Sequence, residues 1–431
     1  MSSNQLHEDD QRSFRRQFNQ WRYPVSLSCH RCVSEVIQRF TQVEKERGLR
    51  SRERKRRDLW ILRHTIEALA CDLAHHHLSG HSKGIAISRS NRYLKKKSRY
   101  RNPYVTGQLP YILDVLELPE LQIVEQFKGG LNLFDTETRG HFRTVMRPGR
   151  ELVQLLQRYQ IEYEDMGLSV GDETIVLKKL KKGFWEESET VEYEDNEQTN
   201  HYRDEMTQIN QWIKEADLNY LMPINSDTDV DLDERRLRRY FTRGSFESGG
   251  RLFGGFWQEM KKEQRKNIII DDEEAVSIDY SQMSPRILYG LCDFNPGSRD
   301  CYGISGYERY RKGIKKVFNS MTFTDKPMTR FPKGVNRLFK EGTRFQEVSD
   351  AIQRSHSGIA HKFNCGIGHY IQYLESQILV KVLLVLKDHG IHALPIHDAV
   401  LVGRTWVDMS RQLMEQVFLD MTNVESWVQV E

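Results

Sequence analysis

Long apolar runs are what this sequence most plainly lacks. No stretch of about 18 apolar residues occurs among its 431, so no segment has the make-up of a membrane-spanning helix. The opening MSSNQLHEDDQRSFRRQ has no apolar core and is not expected to act as a secretory leader. Cysteine is scarce and scattered, six residues in all, which argues against a disulfide-stapled scaffold and predicts a reducing, cytoplasmic setting. There is no internal repeat. The acidic runs DTDVDLDE and DDEE lack the ligand spacing of a Ca²⁺ loop and read as surface acids. CHRC, Cys29 to Cys32, is half of a zinc motif, but Cys71 with His75, His76 and His77 gives no clean second half.

Charge is abundant, at 29% of residues against 38% hydrophobic, and the net charge of +3 conceals its distribution. Met1 to Arg101 holds 23 Lys and Arg against 10 Asp and Glu, about +13, which leaves about −10 for the rest. Two clusters dominate, RSRERKRR (Arg50–Arg57) and RYLKKKSRYR (Arg92–Arg101). Their interleaved cations and tyrosines suit a surface that follows a phosphate backbone and stacks on bases.

Hydrophobic spacing predicts a helix from Asp58 to Leu78 and another over Tyr202–Ala216. Tyr111 to Lys182 reads as a small helix-plus-hairpin domain of winged-helix type. Trp185 to Gln198 is acidic and reads as a solvated linker, and DTDVDLDERRLRRYF reads as a helix start. Further on, Asn267–Ile270 and Ala275–Asp279 form a hairpin across DDEE, Ser284 caps a helix beginning at Pro285, and Tyr307–Met321 is a basic helix. Tyr370–His389 is a long apolar helix stopped by Gly390, followed by the strand pair IHALPIHD and AVLVG.

Two carboxylates stand out because each interrupts an apolar strand. Asp279 ends AVSID and Asp398 sits at the tip of the last hairpin. Burying such a group without a partner costs several kcal/mol, roughly. Held on adjacent strands, the pair would grip two Mg²⁺ ions, one activating an attacking oxygen and one the leaving oxygen. Between them, Arg311, Lys315, Asn319 and Phe323 recur every four residues on one helix face. Two cations, an amide and an aromatic ring in that order fit a triphosphate, a sugar and a base.

At these residues the chain resembles the family A DNA polymerases and the phage-type single-subunit RNA polymerases. DYSQMSPR (Asp279–Arg286) is similar to motif A, RKGIKKVFNSMTF (Arg311–Phe323) to motif B with Phe in place of Tyr, and IHDAV (Ile396–Val400) to motif C. ESGGRLF (Glu247–Phe253) resembles the element that grips the nucleic-acid backbone. The resemblance implies that Asp279 and Asp398 are the metal ligands, and that Lys315 is catalytic, donating a proton to pyrophosphate. It further implies a nucleotide site formed by Arg311, Lys315, Asn319, Phe323, Ser284 and Tyr280, and nucleic-acid contacts from Arg251, Gly250 and His397. Where motif A carries Glu to close the space of a ribose 2′-hydroxyl, this chain has Ser284, which implies an open site unless Asn319 or Phe323 supplies the gate. Thr324 replaces a customary Gly, and the short spacing between motifs implies small fingers.

The expectation is therefore an α+β right-hand polymerase with an antiparallel palm sheet, small helical fingers and a basic helical N-terminal region. Its divisions fall at 1–110 (nucleic-acid binding), 111–238 (thumb-like and linking) and 239–431 (palm and fingers). The expected function is template-directed addition of dNTPs to a DNA 3′ end with Mg²⁺, or Mn²⁺ in its place, without a proofreading exonuclease. The expected partners are primer–template DNA and dNTPs, with no membrane, for a monomer or one working beside replication partners. Two alternatives stand, an RNA polymerase or primase that accepts NTPs, and a non-catalytic DNA-binding replication or defence factor.

Overall fold

A computed structural model describes residues 14–80, 83–129, 143–169, 171–180, 188–222 and 230–431. The N-terminal stretch to residue 13, Trp185–Glu187 of the acidic run and Asp227–Asp229 lie outside them. The chain is a mixed α/β protein of two compact units, 1–173 and 174–431. The divisions expected at 110 and 238 fall inside these units, because strands on either side of each position share a sheet or core. Among the described residues no helix is long and apolar enough to cross a membrane.

The first unit runs β1 (Phe14–Gln17), β2 (Arg22–Pro24), α1 (Leu27–Glu46), α2 (Arg56–Leu78), β3 (Gly84–Ile87) and α3 (Asn91–Leu94). It continues with α4 (Leu109–Leu116), β4 (Val124–Phe127), β5 (Thr144–Pro148), α5 (Arg150–Arg158) and β6 (Met166–Leu168). Ser26 caps α1 by accepting from the Cys29 amide. The N-terminal region is not purely helical, since β1, β3, β5 and β4 form one four-stranded sheet in that order. That sheet also replaces the expected winged-helix domain, because β5 pairs with β3 as well as with β4, so the two strands close no fold of their own. Leu62, Ile66, Leu69 and Leu73 of α2 are buried in its core, the stripe their spacing predicts. Cys29, Cys32 and Cys71 are buried there as free thiols, and among the described residues no cysteine belongs to a cluster able to hold a metal ion.

The second unit contains β7 (Ile175–Leu177), α6 (Glu197–Glu215), β8 (Leu218–Tyr220), β9 (Arg238–Phe241), β10 (Gly249–Phe253), α7 (Phe256–Glu259) and α8 (Lys262–Arg265). Then come β11 (Ile268–Ile270), β12 (Glu273–Ser281), α9 (Met283–Gly290), α10 (Arg311–Phe323) and α11 (Phe345–Ser355). The last elements are α12 (Gly368–Asp388), β13 (Ala393–Ile396), β14 (Ala399–Gly403), α13 (Val407–Thr422) and β15 (Trp427–Val430). Part of the acidic run is structured after all. Thr190 bridges to Lys178, and Asn196 caps α6 through the Thr199 amide. The predicted helix start at DTDVDLDERRLRRYF is instead strand β9 at its end, where Leu237 and Phe241 enter the core and β10 pairs alongside.

The central sheet is antiparallel, ordered β13-β14-β12-β11-β8, with β15 on the far part of β12. Asp271 and Asp272, at φ of 50° and 65°, form the tight turn between β11 and β12. Helix α12 packs against β10, α9, α13 and α6, and Gly390 at φ 70° closes it. Fully buried Arg239 ties these pieces together. It donates to Glu205 of α6 at 3.0 Å, to the Gly250 carbonyl at 3.1 Å and to Ser376 of α12 at 3.2 Å.

Candidate active site

The long strand β12 carries Asp279 at the point where it is flanked on both sides, opposite Ala399 of β14 and Gln429 of β15. Asp398 and His397 are the two turn residues of the β13–β14 hairpin, with His397 in the left-handed conformation at φ 57°. The Tyr280 amide donates to the Asp398 carbonyl at 3.2 Å, so the turn is pinned beside Asp279. Burial, and next the nearby Asp398 charge, push the Asp279 carboxyl up to about 7. Its Oδ1 is buried without a hydrogen-bond partner. Two like charges, one of them with an orphaned oxygen, are the electrostatic condition that a divalent cation relieves. The donor set therefore fits a hard cation.

A cleft of about 170 Å³ opens over this pair. Its other walls include Lys262, Arg265, Lys266, Ser277 and Glu431, and Lys262 pairs with Glu431 at 2.7 Å. Lys315 also acts on Asp279, in the direction that stabilises its charge.

Helix α10 is divided by its own sequence. Gly313, Ile314, Val317, Phe318 and Met321 face the core, which leaves Arg311, Lys315, Asn319 and Phe323 on the other side. Arg311 is held by Asp300 through contacts of 2.6 and 3.1 Å. Both Arg311 and Lys315 lie over the Tyr302 ring, at 5.4 and 5.8 Å from its centroid. Phe323 stays partly exposed, edge-on to His369 at 5.0 Å. Asn319 has an unpartnered buried Oδ1.

Arg251 projects from β10 and donates to Glu375 of α12 at 3.1 Å. Gly250, expected to touch nucleic acid, is buried instead, and a Cβ there would stand 2.4 Å from Ser376 Oγ. Its contribution is the close approach of β10 to α12, at a φ of 83° that favours glycine. His397 is exposed at the tip of its hairpin, 5.8 Å edge-on from Phe253, while partial desolvation of its ring, followed by the Arg251 charge, lowers its pKa.

One expected nucleotide contact and one expected helix cap are corrected. Tyr280 follows Asp279 on a strand, so its side chain takes the opposite face. It is buried, and its hydroxyl donates to the Met414 carbonyl at 2.5 Å. Ser284 is not a helix cap, because α9 begins one residue earlier, after Gln282 at φ 61°. The Ser284 hydroxyl instead donates to the carboxylate of Glu375. The space beside Ser284 is thus occupied by a carboxylate from another element. Burial pushes the Glu375 carboxyl up, while Ser284 and Arg251 act against that rise. Sequence reading missed Glu375, Tyr302 and Asp300. For Glu375 a signal existed, as it lies on the buried stripe of α12 with Ile371 and Leu379 at four-residue steps.

No protein-family model and no curated protein matches the chain. Among solved structures it is similar to the POL domain of Pol1 from M. smegmatis, in complex with DNA primer-template and dNTP. The two share 12% identity at a TM-score of 0.28, over 94% of this chain and 69% of that one. A similarity of that size establishes no shared activity.

Proposed function

We propose that the second unit is a nucleotidyltransferase that extends a DNA 3′ end with dNTPs on a template. The observation that carries the reading is Asp398, in the turn of the β13–β14 hairpin, pinned beside Asp279 of β12, with Lys315 of α10 acting on the same carboxylate. Asp279 and Asp398 would hold the divalent ions, which when bound supply charge neutralisation at the attacking and leaving oxygens. Arg311 exchanges Asp300 for a phosphate, and Lys315 neutralises the triphosphate and protonates the departing pyrophosphate. Phe323 offers a ring edge to the base. Arg251 and exposed His397 flank the turn on the side where the primer end would lie.

The occupied space beside Ser284 favours deoxynucleotides over ribonucleotides, because a buried carboxylate already engaged by Ser284 and Arg251 leaves little volume for a 2′-hydroxyl. The palm, small fingers and basic arm of a right-hand polymerase remain part of this proposal. Primer extension tests it, run with dNTPs and with NTPs, with and without primer and template, in Mg²⁺ or Mn²⁺. Template-dependent incorporation of dNTPs is expected. Failure to incorporate either nucleotide class under all of these conditions overturns the reading in favour of a non-catalytic DNA-binding factor.

A further inference from the structure

The fold of the first unit assembles something the sequence leaves scattered, a row of three aromatic rings on its surface. Trp60 and His64 lie one turn apart on α2, with ring centroids 5.0 Å apart and planes inclined by 34°. Tyr104, forty residues on, extends the row, its ring 4.3 Å from His64 at 30°. The loop carrying Tyr104 is fastened to α2 at two places. The Thr65 hydroxyl donates to the Tyr104 carbonyl at 2.9 Å, and Gln108 donates to Asp58 at 3.4 Å.

The row is not part of the core. Trp60 is 49% and Tyr104 37% exposed, and neither belongs to the buried cluster that Leu62 and Ile66 of the same helix enter. The surrounding charge is cationic. Arg56, Arg57 and Arg63 are exposed and lie three or four residues from Trp60, on its side of α2. The second basic cluster arrives with the Tyr104 loop, since Lys95 of that cluster lies against Gly107. Within it, Tyr93 is 54% exposed beneath the Arg101 guanidinium at 4.9 Å. Two nearby acids are engaged, Asp58 by Gln108 and Glu67 by His64 at 2.7 Å. Two clusters separated in sequence thus meet at one aromatic row.

We infer that Trp60 and Tyr104, braced by the half-buried His64 between them, form a stacking platform for single-stranded nucleic acid, with the flanking arginines and lysines following its phosphates. The charge selects a polyanion, and exposed rings select one whose bases are unpaired, because duplex bases present no free π-face at the surface. This goes beyond the proposed catalysis and does not depend on it.

The test is fluorescence anisotropy with the full chain, without nucleotides, across a salt series. The probes are a labelled oligothymidine and a duplex of equal length. Trp60→Ala and Tyr104→Ala should each weaken single-strand binding about tenfold while leaving duplex affinity and the salt slope unchanged. Trp60→Phe should restore most of the loss. Arg56→Ala with Arg57→Ala should instead flatten the single-strand slope by about 1.4. Binding is read with neither nucleotide nor incorporation in the assay, which separates this inference from the fate of the catalytic one. Parental binding by both aromatic variants overturns the platform, as does equal loss on single strand and duplex, no rescue by Phe, or a parent that does not bind the single strand.

Discussion

The Ser284 hydroxyl donates to the Glu375 carboxylate, joining the first turn of α9 to the middle of α12 beside Arg251. A position that looked open for a ribose hydroxyl is therefore lined by a buried acid. If Glu375 excludes the 2′-hydroxyl, Glu375→Ala should raise NTP use relative to dNTP use by about tenfold, equivalent to ~1.4 kcal/mol. Ser284→Glu should depress both, because it sets two carboxylates against each other. Kinetics of kcat/KM for each nucleotide class check this, and an unchanged ratio in Glu375→Ala would place the gate elsewhere.

Replacing Asp279 or Asp398 with Ala should reduce nucleotide incorporation by far more than tenfold while duplex binding stays near the parent's. Single-turnover incorporation beside an anisotropy titration measures the two separately. Activity within about tenfold of the parent, ~1.4 kcal/mol of barrier, in either variant would remove that carboxylate from the chemistry.

The raised pKa of Asp279 has a thermodynamic counterpart in the cation-free protein. Its folded value of about 7 exceeds the ordinary 3.8, so folding takes up a proton between those values. The resulting stability is full below about pH 4 and lost as pH rises through 7. Asp279→Asn should therefore stabilise the protein at pH 8, on the order of 2 kcal/mol after solvent screening, and have little effect near pH 4. Urea melts in chelator at both pH values decide it. Equal effects at the two pH values would contradict the assignment.

Lys315 is exposed on α10 yet acts on Asp279. Lys315→Arg keeps the charge but releases a proton poorly. It should hold nucleotide better than Lys315→Ala while both lose turnover, a split between KM and kcat visible in steady-state kinetics. Full activity of the Arg variant would eliminate proton donation as its role.

Arg239 is a structural counterpart to these groups. Removing it leaves Glu205 without its buried partner and strips donors from Gly250 and Ser376. Arg239→Ala should cost about 3 to 5 kcal/mol, seen as a lower denaturant midpoint. A loss below ~1 kcal/mol would mean that the site's β10–α12 contact is held by other means.

What the sequence determined by itself was local. The stripe of α2, the divided faces of α10, the β11–β12 hairpin and the Gly390 stop all follow from residue spacing and turn chemistry within a few positions. Asp279 and Asp398 were legible because a carboxylate in an apolar strand needs a reason. Strand alternation already turns Tyr280 away from Asp279, a signal present in the sequence. Only the tertiary structure decided which distant residue fills a given space. Glu375 reaches Ser284 because α12 crosses both β10 and α9, and no spacing along the chain encodes a contact 91 residues apart. The same holds for Tyr104 beside His64. Side chains meet there because backbone elements pack, and packing is settled by the sum of many weak contacts rather than by any motif.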